Sequence, residues 1–344
     1  FVRGDGFLFV RSSAAALRFF TLIKKVAYMF DNKLIKQAAQ ELAQGGMVAF
    51  PTETVYGLGA DASNVEAIRK VYALKGRPAD HPSIVHLDSL DKLELWAREV
   101  PEAARKLAEH FWPGPMTLIL PKRPEVLPQV TGGQNSVGIR IPAHPLTREL
   151  ISVFGRGIIG PSANRFGHIS PTSAEHVREE FGDQLKYVLD GGPCAVGVES
   201  TIVDFSKEKP VIVRPGMLSA SVISEIAGFP IACGQGSKAP GTLKKHYAPN
   251  TPARMVPSAE LSELIKDSSS PTVVLAMHKF AIYDNGQVRC LSLPDNPQAY
   301  AKSIYSMLRY ADSLRPQSIL IEQPPQSDEN WAAVRDRLQR ACAR

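Results

Sequence analysis

Phe50 to Ala60 reads FPTETVYGLGA, and this stretch decides the fold. Met47, Val48, Ala49 and Phe50 form an apolar run with the pattern of a buried strand, and Pro51 ends it. Two threonines and a carboxylate then stand where a core element would stay apolar, and Gly57 and Gly59 let the backbone approach something closely. Such a polar turn behind a buried strand faces a ligand.

Upstream, Leu34, Ile35, Ala38, Ala39 and Leu42 recur at helical spacing before Gly45-Gly46, which predicts a helix over Asp31–Gln44. Downstream, apolar patterning predicts helices over Val65–Leu74, Leu90–Ala97, Ala103–His110, Leu146–Val153 and Ser173–Glu180. Strands are expected over Ser83–Leu87, Met116–Leu120, Val137–Ile141, Gly157–Ile159, Val188–Leu189, Thr201–Asp204 and Val211–Arg214. Helices and strands interleave irregularly, so the fold class is α/β (α+β) around a twisted mixed sheet rather than a regular βαβ barrel. Residues 233–252, CGQGSKAPGTLKKHYAPNTP, carry glycines, prolines and three lysines without apolar periodicity and read as a linker. Beyond it, a strand at Pro271–Met277, a helix at Ala299–Leu314, a strand at Ser318–Glu322 and a helix at Asn330–Ala343 suit a small C-terminal α/β domain. The expected division is a catalytic-sized domain over 29–232, a linker over 233–252 and a small domain over 253–344.

The 344 residues, 44% of them apolar, can fill two cores, and no run approaches the roughly 18 apolar residues that span a bilayer. Most of the formal charge of +6 falls on residues 1–28, where Arg3, Arg11, Arg18, Lys24 and Lys25 face Asp5 alone. The remaining body is near neutral and does not announce a nucleic-acid scaffold. Cys194, Cys233, Cys290 and Cys342 form no CxxC pair, consistent with a reduced cytoplasmic protein. Residues 1–28 suit a transit peptide in composition, but Met29 directly precedes the first capped helix, so an upstream extension is the simpler expectation.

Several short motifs gather chemistry. Lys75-Gly76-Arg77 sets two cationic donors around a glycine, where a phosphate or carboxylate is the natural partner and an exposed basic turn the alternative. Pro161-Ser162-Ala163-Asn164 puts a hydroxyl and an amide at the end of an apolar strand, as an anion-binding tip or a capped turn. Glu199, Ser200 and Thr201 open the strand into IVDF. Arg140 and Arg214 sit at strand ends, suited to carboxylate or phosphate recognition or to structural ion pairs. His86 lies within SIVHL, and His246-Tyr247 falls in the linker. Gly57-Leu58-Gly59-Ala60-Asp61-Ala62 fits GxGxxA, but ETVY separates it from its strand, so a dinucleotide turn is not expected; GxxxxGK[ST] and GxSxG are absent.

Taken in order, PTETVYG, KGR, SIVH, WPGPMT, VGIRIPAHP, PSAN, the Ser170-Pro171-Thr172 turn, VESTIVD and VRPG resemble the threonylcarbamoyl-AMP synthase (YrdC-like) family over about residues 31 to 230. HYAPN and the terminal DRLQRA helix resemble its longer, two-domain form. The resemblance implies a twisted sheet lining a large, positively lined cavity. It also implies synthesis of threonylcarbamoyl-adenylate from L-threonine, bicarbonate and ATP, with release of pyrophosphate and water. The product would pass to a tRNA threonylcarbamoyl transferase complex, the first step of tRNA threonylcarbamoyladenosine modification, with tRNA contact an open question.

Carried over by motif, Thr52, His86, Arg140, the backbone at Gly160, and Ser200 are the implied threonine-binding positions. Lys75, Arg77, Ser136, Ser162, Asn164, Ser170, Arg214 and Tyr247 are the implied ATP-binding positions. Amine attack on a carbonate and carbamate attack on phosphorus call for alignment and charge neutralisation, so no covalent nucleophile is expected. Lys75, Arg77 and a Mg²⁺ ion carried by ATP rather than held by protein ligands would offset the triphosphate charge. Residues 235–250 are expected to act as a lid. The alternatives are a non-catalytic RNA-binding module, disfavoured by the absence of aromatic stacking signatures, and a hydrogenase-maturation carbamoyltransferase, disfavoured by the absence of a cysteine-rich zinc segment.

Overall fold

The computed structural model describes residues 32–278 and 286–343; the expected extension over residues 1–28 lies outside the described residues. The first sheet is built from β1 (Val48–Phe50), β2 (Gly57–Asp61), β3 (Ile84–His86), β4 (Met116–Pro121), β5 (Ser136–Arg140), β6 (Ile158–Ile159), β7 (Tyr187–Val188), β8 (Thr201–Asp204) and β9 (Val211–Arg214). Their order is β7-β1-β2-β6-β3-β5-β4-β8-β9. It is mixed: β3 runs parallel to β5 and β4 to β8, whereas β2 and β3 both flank β6 antiparallel. The chain therefore delivers strand ends from distant motifs to one central region.

Local sequence explains the elements that position that region. The helix Asn32–Ala43 lays its apolar stripe against Leu146, Leu150 and Ile151 of the helix Pro145–Phe154, and together they cover Val48 and Phe50 of β1. The helix Val65–Lys75 starts at Asn64, whose side chain accepts from the amides of Glu66 and Ala67, and stops at Gly76 in the left-handed region at φ 62°. Its last residue, Lys75, is thereby fixed beside the sheet. Val85, Leu118, Ile139, Ile159 and Val203 join the central core.

A second sheet, all parallel, has the order β10 (Ala253–Val256), β13 (Ser318–Glu322), β11 (Thr272–Ala276), β12 (Val288–Ser292). The helix Pro297–Ser313 and the last helix, Ala332–Ala341, pack on it through Tyr300, Ile304, Leu308, Val334 and Leu338. Val55, Ile169 and Val198 of the first sheet's loops join the same core, so the two sheets share a packed boundary.

Three expectations change. Leu90–Leu95 is a 3₁₀ turn rather than a full helix, because Leu93 alone of its residues is buried and Ala97 turns to bridge Lys122. The expected helix over Asn330–Ala343 begins with a 3₁₀ turn at Glu329–Trp331, capped by Asp328. Gly57 and Gly59 lie in β2, and what they approach is the Phe50 ring, which a methyl at Gly57 would meet at 2.5 Å. The helices Ala220–Ala227 and Ser258–Lys266 and strands β10 and β12 carried weak signals: each is short, and no residue of β12 is fully buried.

Candidate functional site: a cationic cavity beneath the linker

PTETVY forms a turn because Thr52 Oγ1 accepts the amides of Thr54 and Val55 at 3.1 Å each and donates to the Val55 carbonyl at 2.6 Å. Tyr56 and Leu58 lace this turn to other motifs, their amides donating to Pro171 O at 2.9 Å and Pro161 O at 2.7 Å. Arg140, at the end of β5, extends into the turn: Nη2 donates to Glu53 Oε1 at 2.6 Å and Nη1 to Thr54 Oγ1 at 2.8 Å, while Nε donates to Gly114 O at 3.2 Å. His86 lies in the neighbouring strand, where burial and the Arg140 charge hold it down to about 3, so it is neutral at physiological pH. A methyl at Gly160 would sit 2.6 Å from the His86 ring, so this close approach requires glycine.

On the other side, Lys75 Nζ donates to the carbonyls of Ser162 and Asn164, joining KGR to PSAN. Burial, then the Arg77 charge, push the Lys75 ammonium well below the ordinary lysine range. Arg77 donates from Nη2 to Pro82 O at 2.6 Å and lies within 6 Å of the rings of Tyr72 and Phe166, at 5.7 and 5.8 Å, without a carboxylate partner among the described residues. Its Nε, the Asn164 Oδ1, the His246 Nδ1 and the Tyr247 hydroxyl are buried and unpartnered. Four stranded polar atoms in one region mark a place where a polar ligand completes the bonding.

Ser200 closes the ring: its hydroxyl pairs with Thr117 Oγ1 at 2.8 Å and accepts from Arg214 Nη2 at 3.0 Å. Beside it, burial would raise Glu199, but Arg337 and Arg214 outweigh burial and bring it to about 2. Both Glu199 oxygens are taken, Oε1 by Ser170 at 2.6 Å and Oε2 by Tyr305 at 2.9 Å and Arg337 at 2.7 Å. Glu53 is engaged as well, Oε2 accepting the Ala143 amide at 3.0 Å.

Of the expected site residues, Arg77, His86, Arg140, Gly160, Ser162, Ser200, Arg214 and Tyr247 line this cavity. Thr52, Lys75, Asn164 and Ser170 stand one hydrogen bond behind its lining, and Ser136 lies buried at the start of β5 without a bond to the lining. Thr54 and Val55, rather than Thr52, face the cavity, because the Thr52 hydroxyl holds the turn. The cavity is about 40 Å³, not large, because Pro240, Gly241, His246 and Tyr247 of the linker fill it. Glu53, Thr54, Thr117 and Arg337 escaped notice as site residues. Glu53 and Thr54 sat within the quoted turn, whereas Arg337 comes from a remote helix with only the DRLQRA pattern as signal.

Residues 40–216 match the Sua5–YciO–YrdC family model, described as Telomere recombination, and residues 210–343 match the model of the threonylcarbamoyl-AMP synthase C-terminal domain. The threonylcarbamoyl-AMP synthase of Pyrococcus abyssi is 39% identical over 335 residues, 93% of this chain and 97% of that protein. This chain belongs to the threonylcarbamoyl-AMP synthase family. The Bacillus subtilis threonylcarbamoyl-AMP synthase is 37% identical, with 91% of this chain and 94% of that protein aligned. The crystal structure of P. abyssi Sua5 complexed with L-threonine superposes with a TM-score of 0.83 at 37% identity, covering 90% of this chain and 94% of that one. The resemblance carried by the nine motifs therefore stands, as do the mixed α/β fold and the enzymatic class. Among the described residues no helix is long and apolar enough to cross a membrane.

Proposed function

We propose that the cavity makes L-threonylcarbamoyladenylate from L-threonine, bicarbonate and ATP, releasing pyrophosphate and water. The observation that carries this reading is the pairing of a satisfied Arg140–His86–Thr54 wall with a cationic Lys75–Arg77–Arg214 wall, beside which Arg77 Nε, Asn164 Oδ1, His246 Nδ1 and the Tyr247 hydroxyl are buried without partners. The match to a family member solved with L-threonine supports placing threonine against the first wall. ATP then belongs against the second.

In this reading the threonine carboxylate takes an Arg140 donor, displacing part of the Glu53 pairing, and Thr54 and Ser200 meet its hydroxyl. Thr52 acts behind them by fixing the turn. Neutral His86 packs beside the substrate without adding charge. The amine attacks the carbon of bicarbonate and water leaves; a carbamate oxygen then attacks the α-phosphorus and pyrophosphate leaves. Alignment and electrostatic stabilisation supply the rate, with Lys75, Arg77 and Arg214 offsetting charge on the triphosphate. Both carboxylates beside the cavity are saturated by arginine, hydroxyl and amide donors, so the residues fit a nucleotide whose phosphates carry Mg²⁺, and the ion would supply further charge neutralisation.

A cavity of about 40 Å³ is far below the roughly 300 Å³ and more of small-molecule sites, so the linker must leave the cavity for ATP to enter and return over it. Closure excludes water from the labile carbamate. Transfer of the product to a tRNA-modifying transferase complex in the cytoplasm is the consumption step this reading implies. Incubation with ¹³C-bicarbonate, ATP, Mg²⁺ and L-threonine should give a labelled threonylcarbamoyl adenylate by mass spectrometry. Its absence from folded protein, together with salt-sensitive tRNA binding, would move the assignment to an RNA-binding module.

A further inference from the structure

The last helix, Ala332–Ala341, sends a side chain onto two residues that line the cavity, Glu199 and Tyr247. Arg337 is fully buried, and its guanidinium meets three groups of different origin. Nε donates to Glu199 Oε2 at 2.7 Å, directly behind Ser200; Nη1 donates to Asp336 Oδ2 at 2.5 Å; and the guanidinium carbon stands 5.3 Å from the centre of the Tyr247 ring. Tyr305, of the helix Pro297–Ser313, closes the group, its hydroxyl on Glu199 and its ring 5.7 Å from that of Tyr247.

The same helix holds the linker at two more points. Arg340 Nη1 donates to the Leu243 carbonyl at 2.5 Å, and the Arg340 carbonyl accepts the His246 amide at 3.3 Å. Tyr247 itself has φ 59°, a left-handed conformation uncommon for a bulky residue, so surrounding contacts must hold it there. Its hydroxyl has no partner, and the ring is held through its faces and edges by His246, Tyr305 and Arg337.

We propose that Arg337 is a positioning residue for the synthase reaction, seating Tyr247 in the cavity and Glu199 behind Ser200, so that the C-terminal domain sets how the linker closes over ATP. This rests on the synthase reading given above. Arg337 touches no reacting atom; it acts through Tyr247 and Glu199. A structural ion pair alone would stabilise the fold and leave linker closure unaffected.

Lys244 and Lys245 are exposed in the linker and give trypsin a direct report on its seating. Removing Arg337 alone leaves the Glu199 charge unbalanced and endangers folding, so the informative protein is the full chain carrying Glu199→Gln with Arg337→Met, beside Arg337→Lys. In the double variant, cleavage after Lys244 and Lys245 should be about tenfold faster than in the unchanged protein, and KM for ATP should rise about tenfold, with KM for L-threonine within about twofold. Arg337→Lys keeps a charge for Glu199 and should recover thermal stability without recovering linker protection, since a lysine lacks the planar face set against Tyr247. Cleavage and KM for ATP like those of the unchanged protein in a folded double variant would overturn the proposal, as would full linker protection in Arg337→Lys. If the unchanged protein shows no threonine-dependent turnover, the synthase reading fails, and the cleavage comparison still decides whether Arg337 seats the linker.

Discussion

The two walls of the cavity are built on opposite principles. On the Arg140 wall every strong donor has an acceptor: Glu53, Thr54 and the Gly114 carbonyl take the guanidinium, and Glu53 is further held by the Ala143 amide. On the Arg77 wall, Lys75 and Arg77 are buried against carbonyls with no carboxylate partner among the described residues, where Arg77 Nε, Asn164 Oδ1, His246 Nδ1 and the Tyr247 hydroxyl also lack partners. The first wall keeps its shape unaided. The second carries the desolvation cost of buried polar groups, and in the proposed reading an anion relieves it, which would couple binding there to movement of the linker.

Breaking the satisfied wall should have the largest effect. Arg140→Met leaves the Glu53 carboxylate without its cation, and should lower the unfolding free energy in urea by about 3–5 kcal/mol. Adding Glu53→Gln should restore much of that stability while KM for L-threonine stays elevated. Recovery of both would make Arg140 a structural ion pair only. Arg77→Met probes the other wall and should separate the two quantities in the opposite way. It should lower kcat/KM for ATP by about 10²–10³-fold, with stability unchanged or improved because a buried cation without a carboxylate partner has been removed. A loss of stability as large as that of Arg140→Met would erase the contrast.

Gly160→Ala tests the close packing where the walls meet. The added methyl collides with the His86 ring at 2.6 Å and should cost about 1–3 kcal/mol in unfolding free energy and raise KM for L-threonine. The same methyl also meets the Phe50 ring at 2.8 Å, so removing the His86 ring as well, by His86→Ala, should recover only part of that stability. Failure to recover any of it would place the strain elsewhere.

Smallest is one histidine's part, per pH unit, of a pH slope shared by the two walls. Burial, the largest cause in each, holds both His86 and His246 down to about 3 in the folded protein, against about 6.5 in an unfolded chain. Because the folded value lies below the unfolded one, protons favour the unfolded chain. The contribution is complete above about pH 6.5 and is lost as pH falls toward about 3, each histidine adding at most about 1.4 kcal/mol per pH unit. Urea unfolding at about pH 7 and about pH 5 measures the slope, which His246→Gln should flatten. An unchanged slope would show that His246 titrates normally.

Much of this organisation was legible in the sequence, for a physical reason. Apolar runs broken by threonine, serine, glutamate or arginine mark strand ends, so PTETVYG, PSAN, VEST and VRPG could each be read as a candidate ligand-facing tip, whereas joining them and KGR into one site came from the family resemblance. How polar groups are shared among themselves was not legible. Thr52 looked like a substrate contact, yet its hydroxyl holds the turn and leaves Thr54 to face the cavity. Glu53 stood within the quoted motif, and only the fold brings it to Arg140. Arg337 lies far along the chain in a helix whose periodicity marks it as ordinary, and its burial follows from the packing of two sheets that no local pattern encodes.

The central claim is that the two walls act together on threonine and ATP. Pyrophosphate release from ATP by the purified chain, with bicarbonate and Mg²⁺ and with L-threonine, L-serine or no amino acid, tests it most directly. The account predicts release that depends on L-threonine and is weaker with L-serine. Release of equal rate in all three conditions, or none from folded protein, would contradict it.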